Sequence, residues 1–152
     1  MLSSLKQFFD QLAGEPDAPT HQHSLELACA VLLVEISKAD AEVSDDETRQ
    51  IRSLIESRLN VKTEELDDLL RLAQEQSAEA TSLFPFIQLI NDQLEYPDKV
   101  ALVRSMWQVA YTDDRLDKYE EYQIRKISDL LYVAHGDFIR TKIDVLEKRQ
   151  NL

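Results

Sequence analysis

The chain has 152 residues, of which 43% are hydrophobic and 30% charged, the proportions of an ordinary globular domain. Its net charge of −12 argues against nucleic acid and anionic lipid as partners, because both require a basic surface. One cysteine excludes an internal disulfide framework, and only two glycines and four prolines predict helix nearly throughout. We therefore expect a cytoplasmic protein with no signal peptide and no membrane insertion.

The first predicted element is a short amphipathic helix over residues 2–12, joined to the rest by a linker that contains glycine and two prolines. We assign residues 1–20 to this separate N-terminal unit. Its apolar stripe either folds back onto the domain or offers a surface to a protein partner. The residues assigned to this stripe as partner-binding candidates are Leu5, Phe8, Phe9 and Leu12.

A helix that is apolar almost all round follows over residues 24–38, which is typical of a helix buried at the centre of a fold. Cys29 lies within it, and we expect it to be a buried small residue without nucleophilic function. Ser44 and Glu47 then match the capping-box pattern, in which the acid occupies the third position of the helix that begins there.

The remaining elements are also predicted helices, each beginning near a capping residue, proline or glycine. They are a helix capped by Thr63, a helix from about 80 to 94 with Pro85 near its start, a helix opened by Pro97 that runs to Tyr111, a helix from Asp117 through Leu131 with Leu130 and Leu131 inward, and a helix from Gly136 to about Lys148. Residues 21–150 are thus predicted to form one all-α domain of about seven helices.

An internal repeat appears when the sequence is shifted by 73 residues, which aligns Leu27–Asn60 with Val100–Val133 without a gap. The repeat indicates a duplicated helical hairpin, with repeat one at about 24–75 and repeat two at about 97–148. We expect the two hairpins to pack as a bundle with approximate twofold symmetry.

Each repeat contains an acidic loop between its two helices, here called acidic corner one (residues 39–47) and acidic corner two (residues 112–120). In both corners an Asp is followed by a Glu seven residues later. Carboxylates are the ligands that calcium, magnesium and manganese prefer, so the corners are candidate divalent-cation sites. The candidate ligands are Asp40, Glu47, Asp113 and Glu120, with Glu35 and Asp114 as additional ones.

Two interpretations of the corners remain open at this point. The acids either only cap and tighten the helix ends, or they cap the helices and also bind a cation. Neither corner has the ligand spacing or central glycine of an EF-hand loop. The sequence contains no glycine-rich phosphate loop, nucleophile elbow or zinc motif, so we expect no enzymatic activity and no cofactor other than such a cation.

The corners and their order resemble the TerB-like tellurite-resistance domain family. The matching segments are Lys38–Val43 with Glu47 and Tyr111–Leu116 with Glu120, and the resemblance covers roughly residues 23–148. It implies an all-helical fold, bacterial origin, a cytoplasmic location and a divalent-cation site at the acidic corners. The chain departs from the family pattern at the turn glycine, which is replaced by Ala41 and Asp114.

The predicted function is a non-enzymatic TerB-like binding module with an acidic, cation-binding site, acting in a stress or tellurite response. The alternative is a protein–protein interaction module that binds no metal and whose acids only cap helices. Both interpretations leave the protein partner unidentified.

Overall fold

The structure is a computed structural model that describes residues 20–38, 45–58, 61–112 and 118–150. Within these residues the chain forms seven helices and no strand, so the predicted all-α class is confirmed. The helices are α1 (Thr20–Lys38), α2 (Asp45–Arg58), α3 (Thr63–Glu79), α4 (Phe84–Gln93), α5 (Tyr96–Ala110), α6 (Lys118–Leu130) and α7 (His135–Gln150). The predicted N-terminal helix over residues 2–12 lies outside the described residues.

Helix α1 is the centre of the bundle and packs against α2, α3, α4, α5 and α6. This position follows from its sequence, because an apolar helix without a polar face can only be stable when surrounded. Every residue from Leu27 to Val34 is at most 3% exposed, including Cys29 at 1%. The prediction that Cys29 is a buried residue is confirmed.

The two predicted hairpins are present, α1 with α2 and α5 with α6, and their contacts are reciprocal. Helix α2 packs against α5, and α6 packs against α1, so the second helix of each repeat contacts the first helix of the other. Helices α1 and α5 also pack directly together. This reciprocity agrees with a duplicated unit, while the approximate twofold symmetry stays a prediction.

Two of the local predictions are wrong. Thr63 is the first residue of α3 and not its cap. The N-cap residue is Lys62, which makes no side-chain capping bond. Leu130 is 44% exposed, whereas Leu131 is fully buried. The buried face of α6 continues at helical spacing from Ile127 to Leu131, and Leu130 points away from that face because it lies 100° from Leu131 around the helix.

Prolines begin two of the helices, as their restricted φ angle favours. Pro85 is the second residue of α4 and Pro97 the second residue of α5. Pro85 is predicted near the start or at a kink of a helix beginning at about residue 80; it lies near the start, because α4 begins only at Phe84. In the part of the chain that the structure describes, no helix combines the length and apolar content needed to cross a bilayer.

Candidate functional site

Glu47 and Glu120 occupy equivalent positions in the two repeats. Each is the third residue of its helix, α2 and α6 respectively, which is the position that a capping-box Glu takes. Both are buried, with exposed fractions of 2% and 3%. The residues predicted to complete the two capping boxes, Ser44 and Asp117, lie outside the described residues.

Other helices of the same bundle provide an internal comparison for this burial. An acid also stands third in α3 (Glu65), α5 (Asp98) and α7 (Asp137); Glu65 and Asp98 are exposed, and Asp137, which pairs with Arg140, is partly buried. An acid at the third helical position can therefore interact favourably with the helix dipole while it stays exposed to water. The helical position alone does not account for the burial of Glu47 and Glu120.

Burial of an ionised carboxylate is unfavourable unless hydrogen bonds or opposite charges compensate for the lost water. Glu47 and Glu120 each take part in at least one further polar or electrostatic interaction, so neither carboxylate is isolated. Each of these buried carboxylates carries a negative charge that a cation at its own corner would balance. Their oxygen atoms are of the chemical type that hard divalent cations bind.

The ends of the helices that flank the two corners lie at the same end of the bundle. Glu35 and Lys38, in the last turn of α1, line a small cleft together with Tyr119, Tyr122 and Gln123 of α6. The end of α1, which leads into corner one, is thus adjacent to the first turns of α6, which follow corner two. Within the described helices, α2 and α6 are nevertheless not among the pairs that pack closely together.

Glu35, the additional candidate ligand, belongs to a small polar network that joins α1 to the end of α3. Its Oε1 accepts a hydrogen bond from the Ser77 hydroxyl at 2.5 Å and lies 3.4 Å from Lys38 Nζ. Lys38 Nζ also donates to the Oγ and the carbonyl oxygen of Ser77, at 3.0 and 3.1 Å. Glu35 is therefore already partnered and holds the end of α1 in place.

The other predicted ligands, Asp40, Asp113 and Asp114, lie outside the described residues. Among the residues that are described, no group of three or more His, Cys, Asp or Glu side chains is arranged to hold a metal ion. Glu47 and Glu120 have carboxylate oxygens of the type that hard cations bind, and the cation site itself, including its Asp ligands, stays a prediction. The candidates Leu5, Phe8, Phe9 and Leu12 also lie outside the described residues.

Sequence reasoning missed an exposed, largely aromatic surface that extends along α6 from its first turns to its end. Eight large hydrophobic residues of the described chain are exposed, and five of them line two clefts that share Glu35 and Gln123. These five, here called the aromatic surface, are Phe84, Tyr119, Tyr122, Leu130 and Tyr132. Tyr119 and Tyr122 are three residues apart on α6, and this spacing on a predicted helix was the available signal.

Tyr132 adds an unusual backbone feature to this surface. Its φ angle is +61°, in the left-handed region that glycine adopts most easily. The Val133 N–H donates to the Ser128 carbonyl and the Tyr132 N–H to the Asp129 carbonyl, both at 3.1 Å, which is the Schellman arrangement that ends many helices. A tyrosine, 77% exposed, thus occupies the position where glycine is usual.

These features define a class of protein: an all-helical domain built from two hairpins, each containing an acidic corner, around one buried central helix. The family model described as "Tellurite resistance protein TerB" matches residues 26–143. The chain therefore belongs to the TerB family, as the acidic corners indicated. No curated protein and no solved structure matches the chain.

Proposed function

We propose that this chain is a non-enzymatic TerB-like module whose two acidic corners bind a divalent cation. The observation that carries the proposal is the burial of Glu47 and Glu120, in contrast to the exposed Glu65 and Asp98 at the same helical position. The family's description connects such domains with tellurite resistance. We accordingly propose a cytoplasmic role in a tellurite or stress response.

The ligands proposed for the cation are carboxylates from both corners. Glu47 and Glu120 would supply oxygen atoms from the first turns of α2 and α6, and Asp40 and Asp113 would supply them from the loops. Calcium, magnesium and manganese are the expected ions, because carboxylate oxygens bind hard cations. A bound ion would neutralise the carboxylates of its corner and hold the start of the helix that follows, α2 or α6, in a fixed position.

The competing interpretation, in which the acids only cap helices, can be separated from cation binding by replacing Glu with Gln. Gln at the third position completes a capping box as Glu does, but its neutral amide is a weaker ligand for a hard cation. The informative variant is therefore Glu47→Gln combined with Glu120→Gln. Glu65→Gln is the matched control, since it makes the same change at the same helical position in α3.

The test is calorimetric titration of the metal-stripped protein with calcium, magnesium, manganese and zinc, together with thermal unfolding in each ion. We expect saturable binding in the native chain and in Glu65→Gln, and its loss in Glu47→Gln/Glu120→Gln and in Asp40→Ala/Asp113→Ala. An ion at 100 times its Kd stabilises the folded state by about 2.7 kcal/mol. Absence of binding to the native chain at millimolar ion would refute the cation site.

A second candidate function is a protein–protein interaction module that uses the aromatic surface. The observation that favours it is Tyr132, which keeps a large exposed ring at a left-handed position where glycine costs less. Backbone strain of this kind is often retained at functional sites. The expected partner contributes apolar side chains to the surface, without need of a metal.

This second candidate predicts a trade-off between stability and binding. Tyr132→Gly is expected to remove a left-handed penalty of about 1 kcal/mol, part of which is offset by loss of the contact between Lys99 Nζ and the Tyr132 ring, and to weaken partner capture. Ile143→Ala, at an exposed apolar residue on α7, serves as the control that leaves capture unchanged. Affinity capture with identified partners measures the effect, and equal capture by the native chain, Tyr122→Ala and Tyr132→Gly would exclude the aromatic surface.

A further inference from the structure

The outward face of α6 differs in chemistry from the rest of this acidic protein. Tyr122, which is 66% exposed, lies near its centre. On a helix, the residues three and four positions away in either direction are the nearest surface neighbours of a side chain. For Tyr122 these neighbours are one tyrosine and three bases, all of them exposed: Lys118, Tyr119, Arg125 and Lys126. We call Tyr122 and these four residues the α6 face.

The three bases of the α6 face carry positive charge that nearby acids do not compensate. In the part of the chain that the structure describes, none of the three makes an ion pair. Of the acids in the first turn of α6, Glu120 is buried, and Glu121 accepts a hydrogen bond from Lys142 of α7 at 2.6 Å. The exposed Asp129 lies one turn after Arg125, but no ion pair joins them. The α6 face is therefore locally basic in a chain of net charge −12.

The repeat provides an internal comparison for this face. At the shift of 73 residues, the corresponding positions of α2 hold Asp45, Asp46, Arg49, Arg52 and Ser53. There Arg49 donates to Asp46 at 2.8 Å, and Arg52 pairs with Asp67 of α3. The α2 face thus pairs its arginines with nearby acids and contains no aromatic residue.

In repeat two these pairings have been replaced. Two tyrosines stand where α2 has its ion-paired acid and arginine. Arg125 keeps the position of Arg52, but at the same shift Arg140 stands where α3 has Asp67. Arg140 is itself paired with Asp137 of its own helix. Because α2 forms an equivalent helix without exposed aromatic residues or unpaired bases, folding does not explain the α6 face, whereas binding of an oppositely charged partner does.

An apolar cleft continues the α6 face toward the end of the helix. Lys126 lines this cleft, and so does Leu130, one turn further on. Phe84 of α4 and Tyr132 line it as well, and the cleft has a volume of about 750 Å³. The side chains of Leu130, Phe84 and Tyr132 are all exposed. A partner can therefore place apolar side chains in the cleft while its charged groups face the bases of α6.

We propose that the α6 face and the adjoining cleft bind an acidic peptide segment of a partner protein. Its carboxylates would face Lys118, Arg125 and Lys126, and its aromatic or aliphatic side chains would contact Tyr122 and enter the cleft. The proposal rests on the second candidate function, the interaction module, and names the chemistry of its partner. It is independent of cation binding at the acidic corners.

Exposed aromatic rings beside bases also suit single-stranded nucleic acid, whose bases stack on such rings. A nucleic acid strand, however, carries a phosphate at every nucleotide, and beyond the α6 face those phosphates would meet a protein of net charge −12. A peptide confines a few carboxylates to the basic area. Its apolar side chains also match the exposed Phe84 and Leu130 of the cleft. The acidic peptide is therefore the better-matched partner.

The test begins with selection from a random library of peptides of about twelve residues, which as a helix would match the length of α6. The full-length native chain is the bait, with Tyr122→Ala, Lys126→Glu and Lys62→Glu in parallel. Lys62→Glu is the matched control, because it makes the same charge change at an exposed residue outside the α6 face. We expect the native chain and Lys62→Glu to enrich acidic peptides that also contain aromatic or aliphatic residues. Tyr122→Ala and Lys126→Glu should not enrich them.

The affinity of an enriched peptide is then measured by fluorescence anisotropy at low and high salt. We expect Lys126→Glu to weaken binding at least about tenfold at about 0.1 M salt, and much less at about 1 M, where the screening length falls to about 3 Å. Tyr122→Ala should weaken binding at both salt concentrations, because salt does not screen an apolar contact. Lys62→Glu should bind as the native chain does. Circular dichroism confirms that each variant stays folded.

The contrary outcomes separate this inference from the function on which it rests. If the enriched peptides depend on Tyr122 but are neutral or basic, the interaction module stands and the acidic partner is wrong. If no enriched peptide depends on Tyr122, both are wrong. An oligothymidylate strand, titrated in the same assay, addresses the nucleic acid. Tighter binding of this strand than of any peptide, with its loss in Lys126→Glu, would overturn the assignment to a peptide.

Discussion

The buried thiol of Cys29 should make the free energy of unfolding fall as the pH becomes alkaline. Burial, and secondarily the negative charge of Glu26, raises the pKa of the Cys29 thiol from its ordinary value of 9.0 to about 12. The folded state therefore keeps the thiol proton over a pH range in which the unfolded chain releases it. The stabilisation is complete below about pH 9 and is lost as the pH rises from there toward about 12.

The size of the effect follows from this pKa difference. Each unit of pKa difference corresponds to about 1.36 kcal/mol, so the shift from 9.0 to about 12 amounts to about 4 kcal/mol in total. About 1.4 kcal/mol of this is lost by roughly pH 10, one unit above the pKa of the unfolded thiol. Cys29→Ala has no thiol and should not show this component.

The measurement is urea unfolding of the native chain and of Cys29→Ala at about pH 7 and about pH 10. Lysine and tyrosine titration affects both proteins alike, so the difference between their free energies of unfolding isolates the thiol. We expect this difference to shift by about 1.4 kcal/mol against the native chain at the higher pH. A difference that stays constant between the two pH values would refute the assignment of Cys29 as a buried, protonated thiol.

Two further predictions concern the core and the polar network at the end of α1. Leu131→Ala should lower the free energy of unfolding by about 2–5 kcal/mol, whereas Leu130→Ala should lower it by less than about 0.5 kcal/mol, because only Leu131 is buried. Urea unfolding of both variants measures this difference, and equal effects would contradict the prediction. Ser77→Ala should cost about 1–2 kcal/mol in the same assay, because it removes the hydroxyl that bonds both Glu35 and Lys38; no change would show that this network does not stabilise the fold.

The sequence by itself determined the fold class and the identity of the elements. The apolar residues of α1 leave no polar face, so burial at the centre could be inferred without coordinates. The repeat at a spacing of 73 residues identified the two hairpins and placed Glu47 and Glu120 at matching helix positions. These features are local or periodic, and local chain chemistry controls them.

Only the tertiary structure decided which of the similar residues are withdrawn from water. Glu47 and Glu65 both stand third in acidic first turns, but one is buried and the other exposed. Likewise, Leu130 and Leu131 are adjacent in sequence, and the packing of α6 buries only the second. Burial depends on which neighbouring helix covers a given face, and that depends on contacts between residues far apart in the chain, which a local pattern does not contain.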